Sequence, residues 1–156
     1  MKHVNSVLLE RPVEGCRPVR PRRGNALMEA ALALPILLYF SMGMVEFGQY
    51  IYAKHIVQSA ARDGCRQAII ASATQTTATT AITNTMSAAG FGSSGYTVTW
   101  TNPNSPYNTY TDISTVAAGA GIKTTVSVNY GSVGVRPLGV IPATKTLTGI
   151  TTMVKE

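Results

Sequence analysis

The sequence predicts an α+β protein in which one long N-terminal helix, apolar enough to cross a membrane, carries a small domain. That domain contains a short helix and about three β-strands. Three observations support this prediction: an almost uncharged apolar run, a four-residue apolar repeat directly after it, and alternating apolar and Thr-rich segments near the end. Hydrophobic residues form 45% of the 156-residue chain and charged residues only 13%, compared with roughly 25% charged residues in an average soluble protein.

Residues 1–24 are predicted to be a basic leader or cytoplasmic segment. They hold six basic and two acidic residues of a chain whose net charge is +6, and they are rich in Arg and Pro without helical or strand periodicity. Positive charge beside an apolar span is typical of the cytoplasmic side, so the chain beyond about residue 50 should lie outside, in the periplasm of a two-membrane bacterium. The position of this charge argues against nucleic-acid binding.

The apolar run from Ala26 to Val45 contains a single charged residue, Glu29. Twenty helical residues extend about 30 Å, enough to cross a hydrocarbon core. The run is longer than that of a secretory signal peptide, so a permanent transmembrane anchor at about 26–48 is predicted. Pro35 inside the run indicates either a kink or a proline that the membrane helix tolerates.

Apolar pairs recur every four residues beyond the run, which predicts one helix over 25–72 whose part at 49–72 extends into the periplasm. Small side chains on this extension let another backbone approach closely. Both the protein's own domain and a neighbouring subunit are candidate partners for this face. Its small residues are Ala53, Ala60, Ala61, Gly64, Cys65 and Ala68.

Residues 73–156 are predicted to form the periplasmic α+β domain. Apolar spacing over 78–89 permits a short amphipathic helix that ends at Gly90. Alternating patterns over 96–100 and 122–130 predict two strands, and 147–154 is a less regular third. The polar, proline-containing segment between the first two strands is either a binding surface or a connection.

The sequence offers no convincing catalytic or metal site, and no cofactor is expected. His55 and Cys65 lie ten residues apart on different faces of the predicted helix, which leaves too few ligands for zinc. The segment GAGIKTT lacks the Gly-Lys-Ser/Thr adjacency of a phosphate-binding loop, because Ile122 separates Gly121 from Lys123. The two cysteines, Cys16 and Cys65, are too few for a disulfide framework; Cys65 is interpreted as a small buried thiol, with an intermolecular bridge as the alternative.

The stretch RRGNALMEAALALPILLYFSMGMVEFGQYIYAKHIVQSAARDGCRQA, residues 22–68, resembles the opening of TadE-like proteins of the tight-adherence (Flp) pilus assembly system. The shared pattern is Arg-Gly, a glutamate five residues after the glycine, an apolar run, Glu-Phe-Gly and an A-x-R-x-G segment. VSVNYGSVGVRPLGVIPA near the end is also similar in character to that family. Ala30 departs from the Phe or Tyr that usually follows the glutamate.

This resemblance implies that a prepilin peptidase cleaves after Gly24 and frees the amine of Asn25. Glu29 would then pair with an N-terminal ammonium, which would offset the desolvation of its carboxylate. Alternatively, Glu29 reaches the basic interface beside Arg22 and Arg23. Glu46, the acid of Glu-Phe-Gly, is interpreted as an interfacial acid, with a buried packing role as the alternative.

The resulting hypothesis is a single-pass inner-membrane pseudopilin that acts structurally in Flp pilus biogenesis and catalyses no reaction. Its helix would pack against other pilin or pseudopilin subunits. The predicted packing residues are Glu29, Pro35, Glu46, Ala60, Ala61, Gly64 and Ala68. The alternative is an uncleaved anchored periplasmic domain whose sheet and polar loop bind an envelope ligand or protein.

Overall fold

A computed structural model of the protein describes residues 23–92, 95–104 and 106–156. Helix α1 spans Arg23–Ala68 and α2 spans Gln75–Ala88; strands β1, β2 and β3 span Tyr96–Thr101, Gly121–Asn129 and Thr146–Val154. A 3-10 turn at Ile113–Thr115 precedes β2, and a single helical turn, α3, follows it at Tyr130–Val133. The predicted α+β class, with a long helix, a short helix and three strands, is confirmed. The leader predicted at 1–24 lies almost wholly outside the described residues.

The chain divides into two compact units, of which the first ends at Pro35 and the second is Ile36–Glu156. Every buried hydrophobic residue of the described chain lies in the second unit. In the first unit, the described side chains from Ala26 onward are exposed, and α1 continues through Pro35. The predicted domain boundaries at residues 24 and 72 stay a prediction.

Helix α1 ends at Ala68, four residues before the end predicted at about Ser72. The chain turns where the backbone N–H of Ala73 donates to the Ile70 carbonyl at 2.9 Å. Thr74 then begins α2 with a reciprocal cap, because its hydroxyl accepts from the Thr77 N–H at 3.2 Å and the Thr77 hydroxyl accepts from the Thr74 N–H at 3.1 Å. Such a capping box starts a new helix, which explains why the apolar repeat could not continue.

The three strands form one antiparallel sheet in the order β1-β2-β3. The alternation predicted for β2 is observed, since Ile122, Thr124, Val126 and Val128 are all buried. Side chains of one face of a strand lie two residues apart, so these four share a face. The short helix is also confirmed, with Ala78, Ile82 and Met86 buried.

Backbones approach closely where β3 crosses α1. A Cβ added at Gly149 would overlap the Val57 carbonyl oxygen and would lie 2.9 Å from the Cα of Gln58. The Gln58 side-chain amide bonds the backbone of Ile150 twice: Nε2 donates to the Ile150 carbonyl at 2.8 Å, and Oε1 accepts from the Ile150 N–H at 3.2 Å. Because β3 is an edge strand of the described sheet, α1 covers part of an edge that would otherwise be unpaired.

The small residues of α1 face the protein's own domain. A Cβ added at Gly64 would overlap the side chain of Ile82 in α2. Ala60, Ala61 and Ala68 have no exposed surface, so the first of the two candidate partners for this face is observed. Packing of these residues against a neighbouring subunit is untested, and burial leaves them no free surface for it.

We predict that Gly149→Ala lowers the stability of the domain, because the new methyl group meets backbone that cannot rotate away. Overpacking of this kind costs about 1–3 kcal/mol. Trp100 is the single tryptophan and is buried, so its fluorescence during denaturant unfolding in detergent reports the change. Gly92→Ala is the matched control, since nothing lies within 4 Å of a Cβ added there. Equal unfolding midpoints for both variants would contradict the close approach.

Candidate functional site

The predicted processing residues lie at the start of α1. Gly24 and Glu29 are exposed, and a Cβ added at Gly24 would meet no other part of the described chain within 4 Å. Asn25 and Glu29 are four residues apart, which places them on one face and about 6 Å apart along a helix axis. A new amine at Asn25 could therefore reach the Glu29 carboxylate. The cleavage and this pairing stay predictions.

Between Leu27 and Phe47, α1 exposes apolar side chains on all sides. A helix that is apolar all round is typically surrounded by other protein or by a membrane. In the described part of the chain, α1 is the one helix long and apolar enough to cross a membrane, which agrees with the predicted anchor. Its large exposed apolar residues are Leu27, Met28, Leu32, Leu34, Ile36, Leu37, Leu38, Tyr39, Phe40, Met42, Met44, Val45 and Phe47.

Glu46 is buried, with 1% of its surface exposed. Its Oε1 accepts from the Ile141 N–H at 2.7 Å and its Oε2 accepts from the Leu138 N–H at 3.1 Å. Glu46 is therefore buried within the protein, as the alternative interpretation expects, while its position at a membrane interface stays a prediction. The donors lie more than ninety residues further along the chain, where no local pattern of the sequence connects them with Glu46.

The segment that supplies these donors, residues 134–145, is called the return loop here. It is held by Tyr130, whose N–H donates to the Lys145 carbonyl at 2.8 Å and whose hydroxyl donates to the Glu46 carbonyl at 3.2 Å. The Tyr50 ring meets the Tyr130 ring edge-on at 5.4 Å. A Cβ added at Gly134 would overlap the Tyr130 ring, so a larger residue there would displace the loop.

Burial, and to a smaller extent the Glu46 charge, raise the pKa of Tyr130 above its usual range. The phenol therefore stays protonated and available as a donor. The Glu-Phe-Gly motif and the stretch at 126–143, whose resemblance to the TadE-like family stays a prediction, meet at this point. Glu46 is thus the residue at which the long helix and the end of the chain are joined.

The polar segment between β1 and β2 is a second candidate surface. Its backbone returns on itself, since the Tyr110 N–H donates to the Trp100 carbonyl at 2.8 Å and the Asn102 N–H donates to the Asn108 carbonyl at 2.8 Å. The buried Lys155 ammonium donates to the Ile113 carbonyl at 2.7 Å. Tyr107 of this segment is 75% exposed.

Within residues 23–92, 95–104 and 106–156, no three His, Cys, Asp or Glu side chains cluster to hold a metal ion. The Cys65 thiol is buried and lies 3.6 Å from the Ile122 carbonyl, as the interpretation of a small buried thiol predicts. Cys16 lies outside the described residues. His55 is exposed on α1.

Residues 24–66 match the family model of the TadE-like protein, which confirms the resemblance found in the sequence. The matched segment covers most of α1, including Gly24, Glu29 and Glu46, and stops before α2 and the sheet. Neither a curated protein nor a solved structure matches the chain. A TadE-like segment implies involvement in the tight-adherence (Flp) pilus system.

We predict that Glu46→Leu releases the return loop, because it leaves the N–H groups of Leu138 and Ile141 without an acceptor. Hydrogen bonds to charged groups contribute about 1.5–3 kcal/mol, so amide exchange across 134–145 should accelerate roughly 10- to 100-fold. Hydrogen exchange with mass spectrometry measures this. Glu46→Gln keeps one acceptor oxygen and should give a smaller effect. Unchanged exchange in Glu46→Leu would show that the carboxylate does not hold the loop.

A second prediction concerns the pH dependence of the hydrogen bond between Asp112 and Ser114. The Asp112 carboxylate accepts from the Ser114 N–H at 2.8 Å, and this bond lowers the pKa of Asp112 below its usual range. The pKa of Asp112 is lower in the folded than in the unfolded state. The carboxylate therefore contributes its full share to folding stability above the unfolded pKa of about 3.9, and this share is lost as the pH falls through the folded pKa. An NMR titration of the Ser114 amide should show this transition, and Asp112→Asn, which keeps an acceptor, should abolish it. A Ser114 transition at or above the unfolded pKa would contradict the hydrogen bond.

Proposed function

We propose that the protein is a membrane-anchored, TadE-like pseudopilin that acts as a structural component in the assembly of the Flp pilus. One observation carries the proposal: the segment that matches the family contains an all-round apolar helix surface that the protein's own domain leaves exposed. Such a surface requires lipid or other helices around it. The proposed partners are the inner membrane and other pilin or pseudopilin subunits of the same system.

The orientation follows from charge. The leader contains most of the excess positive charge of the chain and directly precedes the apolar run. By the positive-inside rule, this end is cytoplasmic and the α+β domain lies in the periplasm. Nucleic acid is not a proposed partner, because most of the excess positive charge lies directly before the apolar run.

Cleavage by a prepilin peptidase after Gly24 would convert the first turn of α1 into an N-terminus. The carboxylate of Glu29 would then lie one turn from a positive charge, its own or that of a neighbouring subunit. A carboxylate in hydrocarbon costs several kcal/mol unless it is paired. If the ammonium belongs to a neighbouring subunit, this pairing would therefore favour one axial alignment of the two helices.

Lateral packing would use the exposed part of α1 and not the small residues beyond Tyr52. Gly43 and Gly48 lie on the exposed part, and no atom lies within 4 Å of a Cβ added at either. Small residues are common where membrane helices touch. Pro35 lies in the same part and would shape the contact if it kinks the helix. The protein would act by packing alone, without catalysis.

The alternative is an uncleaved, anchored domain that binds an envelope ligand or protein. Exposure of Tyr107 on a hydrogen-bonded polar loop favours this second function, since aromatic side chains are common at binding surfaces. The two hypotheses differ in what they require of Gly24 and Glu29, because an uncleaved anchor needs neither residue.

We predict that the membrane-extracted mature protein begins at Asn25 when a prepilin peptidase is present in the same cells. Gly24→Leu should leave residues 1–24 attached, because a bulky side chain at the cleavage position blocks access to the scissile bond. Mass spectrometry of the intact protein distinguishes the two forms. Gly48→Ala, at a position with open space around it, is the matched control and should be processed normally.

A mature form that keeps residues 1–24 in the unaltered protein would overturn the processing step and favour the uncleaved anchor. Glu29→Leu addresses assembly separately. If the proposal holds, this variant stays in the membrane and no longer supports surface pili. Normal piliation with Glu29→Leu would show that pilus assembly does not require Glu29.

A further inference from the structure

We propose that the tip of the return loop, residues 135–141, inserts into the outer phospholipid surface of the membrane that α1 crosses. The inference rests on the membrane anchoring proposed above. It assigns to the end of the chain a second, peripheral membrane contact beside the helix.

The tip is apolar and outward-facing. Val135 is 63% exposed and Val140 is 69% exposed, while Leu138 is half-buried. Val140 and Leu138 line one apolar groove, and an exposed apolar patch marks a contact with another apolar phase. The one charged residue of the tip is Arg136, which is exposed.

The position of the tip beside α1 indicates that this apolar phase is the lipid bilayer. Leu138 and Val140 form one wall of an open apolar groove, and α1 forms the other wall through Tyr39, Phe40 and Phe47. These α1 residues lie in the outer half of the predicted span at 26–48. When that half of α1 is in the bilayer, the tip beside it is in the bilayer as well. Acyl chains from the outer leaflet therefore fill the groove.

An unpaired N–H costs several kcal/mol in hydrocarbon, and two of the six backbone N–H groups of the tip have an acceptor among the described residues. The N–H groups of Leu138 and Ile141 are both paired with the Glu46 carboxylate. Pro137 has no N–H, and the Ile141 carbonyl accepts from Arg136 Nη1 at 3.5 Å. Glu46 is in turn shielded from lipid, since these bonds use both of its oxygens.

Arg136 has the chemistry for the headgroup layer. A long cationic side chain at a membrane boundary extends its charge toward water and phosphate while its methylene groups stay in apolar surroundings. An apolar tip with one exposed guanidinium thus complements a phospholipid surface, with its anionic phosphates above its acyl chains. A purely apolar protein partner would leave that charge without a counterion.

The test places an environment-sensitive fluorophore on Val140→Cys in the full chain carrying Cys16→Ser. The buried Cys65 stays unlabelled, which the same chain without Val140→Cys verifies. The protein is reconstituted into phosphatidylcholine–phosphatidylglycerol vesicles with the domain outside. We expect blue-shifted emission, strong quenching by lipids spin-labelled near the headgroup, and loss of most quenching by aqueous iodide. The matched control, Tyr107→Cys, should show the opposite pattern.

A label at 140 that iodide quenches as strongly as the label at 107 would overturn the inference. Protection that appears only at high protein-to-lipid ratio would overturn it as well, since a second copy of the chain would then fill the groove. Adding Glu46→Leu should expose the label at 140 to iodide while the chain stays in the vesicles. An alkaline carbonate wash distinguishes failure of the tip insertion from failure of the membrane anchor. A chain that stays in the vesicles with an exposed tip refutes the insertion alone. A chain that is washed off refutes the anchor too.

Discussion

Close backbone contact between α1 and β3 determines how the domain is placed on its helix. The contact depends on Gly149, whose missing side chain lets β3 reach the Val57 carbonyl, and on the paired hydrogen bonds between Gln58 and Ile150. Gly64 provides the same clearance for α2. Because packed interiors tolerate little extra volume, these positions determine which stretch of α1 is covered and which stretch stays free.

This division of α1 matters for function. The covered stretch, from about Ala53 to Ala68, is part of the domain core, while the stretch before it is free for lipid or other helices. We therefore propose that contacts between subunits, which were predicted for the small residues, use the apolar part of the helix instead. One helix thus contains both a stretch long and apolar enough to cross a membrane and the platform for a folded domain.

Glu46 links the two stretches. Its carboxylate lies near the end of the exposed part of the helix and accepts from the N–H groups of Leu138 and Ile141, which holds the return loop beside it. The bonds satisfy a charged group and two backbone groups at once, near the predicted membrane boundary where each would be costly alone. The Glu-Phe-Gly motif lies in the segment that matches the TadE-like family model, and its contact with the stretch at 126–143 joins that segment to the later part of the chain.

The sequence by itself determined the α+β class, the apolar span, the short helix, the alternation of β2 and the TadE-like pattern, because periodicity and local motifs are encoded over a few neighbouring residues. It did not determine the burial of Glu46 or the partner of the small residues, and it placed the end of α1 four residues late. The burial of Glu46 depends on contacts with residues about ninety positions further along the chain. The end of α1 is followed by the capped start of α2 at Thr74, which lies beyond the apolar repeat. Only the tertiary structure decided these features, since a helix face is the same in sequence whether its own domain or another subunit covers it.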